Sequence, residues 1–146
     1  MTQTTSHSSA ERNRQLAEGF IAALDRQDFD TVEKMMSPGF RLCFSGQEFN
    51  REQSMAIIRD VYQAFNDFRH HIDEAFAVDD VVILRITDRA THTGVFEGLA
   101  PTGRTINIGQ ISIVRIADDQ ILEIREEADM LGLMQQLGAI PGPAGP

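Results

Sequence analysis

The stretch His92–Gly138, HTGVFEGLAPTGRTINIGQISIVRIADDQILEIREEADMLGLMQQLG, decides the fold. It reads as the end of one strand, a Pro-Gly loop, a hairpin of two long strands and a short closing helix. Ala100-Pro101-Thr102-Gly103 fits a type I turn, with proline second and glycine fourth. Strands are expected from Thr105 to Ile116 and from Ile121 to Ala128. Asp129 caps a helix that buries Met130, Leu133, Met134 and Leu137, and Gly138 stops it. A two-residue turn at Asp118-Asp119 sets Ile116 against Ile121, Ile113 against Ile124 and Ile111 against Glu126. Glu126 then shares a face with Ile111, Ile113, Leu122, Ile124 and Ala128. Gln110, Ser112, Glu123, Arg125 and Glu127 take the other face.

Outward from this hairpin, the preceding strand runs from Val81 to Thr93. Val82, Leu84, Ile86, Asp88, Ala90 and His92 form its apolar face, so Asp88 and His92 look inward. Before it, Phe68, His70, Ile72, Glu74 and Phe76 alternate in a strand that turns at Asp79-Asp80. Three helices come earlier. Ser8 and Glu11 have capping-box spacing ahead of Leu16, Phe20, Ala23 and Leu24. Asp28 or Asp30 caps a second helix that ends at Ser37-Pro38-Gly39. Asn50, with Gln53 three residues on, caps a third that buries Met55, Ile58, Tyr62 and Phe65. Phe40, Leu42 and Phe44 mark a short strand, and Ser45 to Phe49 reads as a loop.

Three helices followed by an antiparallel meander and a final helix define an α+β fold. The expected architecture is a curved antiparallel sheet with helices packed on its concave side and a conical pocket between them. Residues 8–138 form one domain. Residues 1–7 are expected to be a disordered tail and 139–146 a Pro/Gly-rich tail.

The length of 146 residues suits one domain with a real core, and 42% apolar content is that of a globular chain. A net charge of −9 and a pI near 4.8 argue against nucleic acid or an anionic membrane as partner. Cys43 is the single cysteine, so no intrachain disulfide forms, as suits a reducing compartment. The N-terminal MTQTTSHSSAERN has no apolar core of a signal peptide, and no apolar run approaches ~20 residues. A cytoplasmic location is expected. No histidine pair has helical i, i+4 spacing, and His70 and His71 point to opposite sides of a strand, so no metal is expected. No Gly-rich nucleotide motif and no G-x-S-x-G occurs, so no cofactor is expected.

The candidate chemistry starts from Glu126. A carboxylate among apolar neighbours is costly to ionise, which raises its pKa and suits it to acid–base work near neutral pH. The alternatives are an ion pair with an inward arginine or a place beyond the sheet edge in solvent. His92 either protonates a substrate oxygen or is hydrogen-bonded to loop backbone. His70 reads as a satisfied core residue.

HTGVFEGLAPTGR (His92–Arg104), IVRIADDQILEI (Ile113–Ile124) and DMLGLMQQLG (Asp129–Gly138) resemble the SnoaL-like polyketide cyclases of the nuclear transport factor 2-like superfamily. The likeness covers nearly the whole chain. It implies a cone-shaped α+β barrel and a cofactor-independent intramolecular aldol closure of an anthracycline-type aromatic polyketide. By this resemblance the family's catalytic aspartate falls on Glu126 and a pocket histidine on His92. The family's second histidine falls on Ser112, on the opposite face from Glu126 unless a bulge intervenes. The aromatic often found near the end of the last strand is Arg125. Relatives on this fold include cofactor-independent hydroxylases of anthracycline-type polyketides, and others bind ligand without catalysis.

The expected catalytic residues are therefore Glu126, which removes an acidic C–H proton and returns one to the new alkoxide, and His92. Gln110, Ser112, Asp129 and Asp88 are the candidate polar contacts to substrate, with Phe44 and Tyr62 among its apolar walls. Assembly as a homodimer or homotetramer is expected. The polar outer sheet face, with Arg85, Thr87, Arg89, Glu123 and Arg125, is either a dimer surface or a solvated one.

Overall fold

The computed structural model describes residues 2–143, with side chains from residue 9 onward. Helix α1 (Thr2–Asp25) begins ahead of the cap read at Ser8. No proline or glycine interrupts the sequence there, so nothing stops the helix from propagating. The backbone of residues 2–7, expected as a disordered tail, thus continues α1; Met1 and residues 144–146 of the expected tails lie outside the described residues. Residues 139–143 carry no helix or strand.

Helix α2 (Phe29–Met35) is capped by Asp28, which accepts the Thr31 backbone N–H at 3.3 Å. Helix α3 (Arg51–Ala64) has the expected reciprocal cap between Asn50 and Gln53, at 2.8 and 2.9 Å. Helix α4 (Met130–Gln136) is capped by Asp129 through Gly132 N–H at 2.8 Å.

Six strands form one curved sheet: β1 (Met36–Phe44), β2 (Gln47–Asn50), β3 (Arg69–Val78), β4 (Val81–Thr91), β5 (Thr105–Ala117) and β6 (Gln120–Ala128). Their order is β2-β1-β6-β5-β4-β3. The α+β class is as the sequence indicates, but the sheet is mixed. β1 lies parallel to β6, with Leu42 beside Ile124 and Phe44 beside Glu126. Strand alternation carries no information about partner or direction, so the sequence pointed only to an antiparallel sheet. The expected loop Ser45–Phe49 is instead a hairpin into β2. Ser45 and Gly46 both have positive φ, 51° and 79°, the geometry of a tight primed turn. Asp118 and Asp119, at 52° and 62°, turn β5 into β6 in the same way.

The core lies between the concave sheet face and the helices. Phe20, Val32, Met36, Phe40, Met55, Leu84, Ile86, Val114, Ile116 and Ile121 belong to one buried cluster. A second, around Phe65, Ile106, Ile108, Leu133 and Leu137, seats α4 against β5. Among the described residues, no helix is long and apolar enough to cross a membrane.

Candidate active site

A cavity of about 610 Å³ opens between the concave sheet face and the helices. Its wall is strongly aromatic, with Phe20, Phe40, Phe44, Phe49, Tyr62, Phe65, Phe68 and Phe96. The charged and amide groups that the sheet brings to it include His70 of β3, Asp88 of β4, Gln110 of β5 and Glu126 of β6, with Gln47 of the edge strand β2.

The register that delivers Glu126 to this cavity differs from the one read in sequence. Ile116 pairs with Ile121 as expected, but Arg115 then pairs with Glu123, so Leu122 is an extra residue in β6. This bulge shifts every later pair by one. Glu126 therefore faces Ser112, and Ile111 faces Glu127. Ile111 and Ile113 turn outward, 50% and 39% exposed, while Gln110, Ser112 and Val114 are buried. Placing Ile111 and Ile113 with Glu126, and Gln110 and Ser112 against it, is thus corrected. A second bulge at Asp73 in β3 turns Glu74 and Phe76 outward and Ala75 inward, whereas unbroken alternation put both on the inner face.

Glu126 presents its accessible surface to the cavity. Burial pushes its pKa up to about 7; the charge of His70 pulls it down and that of Asp88 adds to the rise. Asp88 is 2% exposed. Burial raises its pKa to about 6, against His70 and with Asp25. Its Oδ1 has no hydrogen-bond partner. Tyr62 Oη is likewise buried and without a hydrogen bond; burial raises its pKa, and the nearby charges of Asp25 and Asp88 add to the rise. Gln110 Nε2 donates to Ser112 Oγ at 2.9 Å, which fixes the amide.

Asp88, Gln110, Phe44, Tyr62 and Glu126 thus meet around one cavity. Ser112 is buried behind Gln110, outside the wall. Asp129 is occupied in capping α4. His92 is fully buried and off the wall, against expectation. Its Nδ1 accepts the Thr102 backbone N–H at 3.1 Å and lies 3.0 Å from Thr102 Oγ1. Its backbone bonds Arg104 and Gly103, and its ring lies 5.4 Å from that of Phe65. Its place is the loop-holding one of its two readings, the Pro-Gly loop being wrapped around it.

His70, read as a satisfied core residue, also lines the cavity. His70 is partnered by Asp25 at the end of α1, 2.7 Å from Nδ1. The inward face of β3 made His70 visible; nothing in the sequence linked it to a residue 45 positions away.

On the opposite face of the sheet, Cys43, Glu48 and Glu123 bring ligand atoms within 4.8 Å of one another. Burial raises the Cys43 pKa, and its thiol lies 3.7 and 3.9 Å from the two carboxylates as a donor. Arg125 pairs with Glu123 at 3.1 Å.

A cavity of this size with an aromatic wall and a few polar groups on its floor suits a small, largely apolar molecule. The chain belongs to the SnoaL-like polyketide cyclase family, whose model matches residues 14–137. It is similar to AclR from Streptomyces galilaeus, described as a candidate hydroxylase. That likeness has 27% identity and a TM-score of 0.86, over 92% of this chain and 86% of AclR. TsrD from Streptomyces laurentii is 29% identical, with a TM-score of 0.77 over 86% of this chain and 94% of TsrD. IdmH from Streptomyces antibioticus, described as a candidate polyketide cyclase, shares the fold at 22% identity and a TM-score of 0.79, over 86% of this chain and 98% of IdmH. No curated protein matches the sequence.

Proposed function

We propose that this chain is a cofactor-independent cyclase that closes a ring of an anthracycline-type aromatic polyketide by intramolecular aldol condensation. The observation that carries this reading is Glu126, a carboxyl with a pKa near 7 on the floor of an aromatic cavity. A carboxyl poised near the working pH both accepts and releases protons, and general acid–base catalysis contributes about 10²- to 10⁴-fold. Ionised Glu126 takes the acidic C–H proton of a substrate held between the phenylalanine rings. The enolate attacks a carbonyl of the same molecule, and the new alkoxide takes up a proton. Asp88, Gln110 and Tyr62 hold substrate oxygens. The test is Glu126→Gln, which keeps the shape and removes the base: ring closure falls by two or more orders of magnitude while the fold persists. Near-wild-type closure in that variant sinks the assignment.

Similarity to AclR favours a second reading, hydroxylation of a reduced anthraquinone-type substrate with oxygen. Oxygen uptake with a reduced anthraquinone separates it from the cyclase, which consumes none.

We infer also that the chain self-associates, as a dimer or tetramer, through the outer sheet face. The register lines up exposed Phe76, Ile83 and Ile113 across three strands, with Ile111 beside them. An apolar stripe of this kind marks an interaction surface. Sedimentation of an Ile111→Lys/Ile113→Lys variant as a monomer supports it, and an unchanged wild-type monomer rejects it.

A further inference from the structure

Asp25 holds His70 from two directions. Its carboxylate accepts the His70 backbone N–H at 3.2 Å and lies 2.7 Å from Nδ1. An ionised carboxylate only accepts, so Nδ1 carries its proton toward Asp25. Nε2 is the free end of the ring, 3.9 Å from Asp88 Oδ1 on the neighbouring strand. That distance is too long for a direct hydrogen bond. Asp88 Oδ1 and Tyr62 Oη are buried without a hydrogen bond, and the charges of Asp25 and Asp88 both reach Tyr62. His70, Asp88 and Tyr62 all line the cavity. The Phe68 ring, 4.7 Å away, supports the imidazole. An oriented imidazole with its outer nitrogen free is the arrangement of an acid–base residue, with Asp25 as its positioning partner.

We propose that His70, oriented by Asp25, is the second acid–base group of this site. It serves the substrate oxygen while Glu126 serves the substrate carbon. The inference rests on the aldol reading above and divides the two proton transfers between two residues. The Glu126 carboxylate takes the α-carbon proton, and the C–H electron pair becomes the enolate. The carbon–carbon bond forms as the carbonyl π pair moves onto oxygen. His70, protonated on both nitrogens, passes its Nε2 proton to that oxygen. The proton on Glu126 returns to His70 through water, so substrate and product contain the same atoms. Asp25 and Asp88 lie against the His70 ring, and Tyr62 and Glu126 line the same cavity.

The test separates carbon chemistry from oxygen chemistry. The probe is a naphthyl β-keto ester with a pendant methyl ketone in heavy water, followed for deuterium uptake at the α-carbon and for ring closure. Glu126→Gln should lose both. His70→Gln should retain enzyme-accelerated deuterium uptake and lose closure by about 10²-fold or more. Equal loss of uptake and closure in His70→Gln, or closure at the wild-type rate, overturns the inference. A wild-type protein that does neither overturns the aldol reading itself. Asp25→Asn leaves the imidazole in place and guards against a His70 variant that fails to fold. It should slow closure about tenfold with KM unchanged, and in ¹⁵N NMR the His70 proton should lose its preference for Nδ1. A wild-type imidazole that already carries its neutral-form proton on Nε2 overturns the inference as well.

Discussion

Glu126 on β6 sits directly opposite Ser112 on β5, because Leu122 is an extra residue in β6. Strand phase without that bulge sets Glu126 against Ile111. The two registers assign opposite faces to the whole of β5, so side-chain deletions distinguish them. Ile116→Ala removes a side chain that is 1% exposed and should cost about 2–5 kcal/mol. Ile111→Ala removes one that is half exposed and should change monomer stability by less than about 0.5 kcal/mol. Urea unfolding of both proteins checks this, and equal costs refute the bulged register.

The proposed role of the Glu126 carboxyl makes activity depend on pH. Its pKa near 7 means that the base is only about half ionised at neutrality. If it removes the substrate proton, kcat/KM should rise with unit slope below pH 7 and level off above it. Glu126→Gln should erase that limb together with most of the rate. A pH profile whose acid limb survives in the variant assigns the limb to another group.

The same shift makes folding sensitive to pH, with a definite sign. The folded-state pKa of Glu126 lies above its ordinary value of 4.5. Between pH 4.5 and about 7 the folded chain therefore holds a proton that the unfolded chain has released. Stability falls as pH rises through that window, and the loss is complete above it. Asp88, raised from 3.8 to about 6, acts in the same direction. Glu126→Gln should therefore stabilise the protein at pH 8, by at most about 3 kcal/mol, and leave it nearly unchanged at pH 4. Denaturant unfolding at the two pH values reads the difference; a variant destabilised at pH 8 contradicts it.

Most of the fold was legible because its signals are local. The Asn50–Gln53 cap, the Asp129 cap and the alternation of β4 from Val82 to His92 depend only on near neighbours in sequence. What escaped needs distant partners or one unpaired residue. Bulges at Leu122 and Asp73 shift the register without changing composition, so the faces of β5, and of β3 beyond Asp73, were read wrongly. The parallel β1–β6 pair joins segments about 80 residues apart. Glu126 was placed on the inner face although its neighbours were misassigned: β6 carries the same inner residues Ile124, Glu126 and Ala128 in both registers. His70 was visible as an inward side chain and read as a satisfied core residue; its partner could not be named, because Asp25 belongs to α1 and their contact exists only in the folded chain.

His92 supplies the last contrast between chemistry and scaffolding. Its Nδ1 accepts the Thr102 N–H, and its backbone pairs with Gly103 and Arg104. Thr93 and Gly94, next in sequence, donate to the Ala64 carbonyl at the end of α3. At Gly94 a Cβ would sit 2.2 Å from the Gln63 carbonyl oxygen, so loop and helix are in close contact here. The imidazole thus binds the Pro-Gly loop where it meets α3. Removing it with His92→Ala leaves the Thr102 N–H without its acceptor and opens a void beside Phe65. The expected cost is about 1–3 kcal/mol from the lost hydrogen bond, with faster hydrogen exchange at Thr102 and Gly103. Because the ring lies off the cavity wall, the acid limb of the pH profile should stay where it is in the folded variant. Loss of that limb with unchanged loop exchange would instead assign His92 to proton transfer.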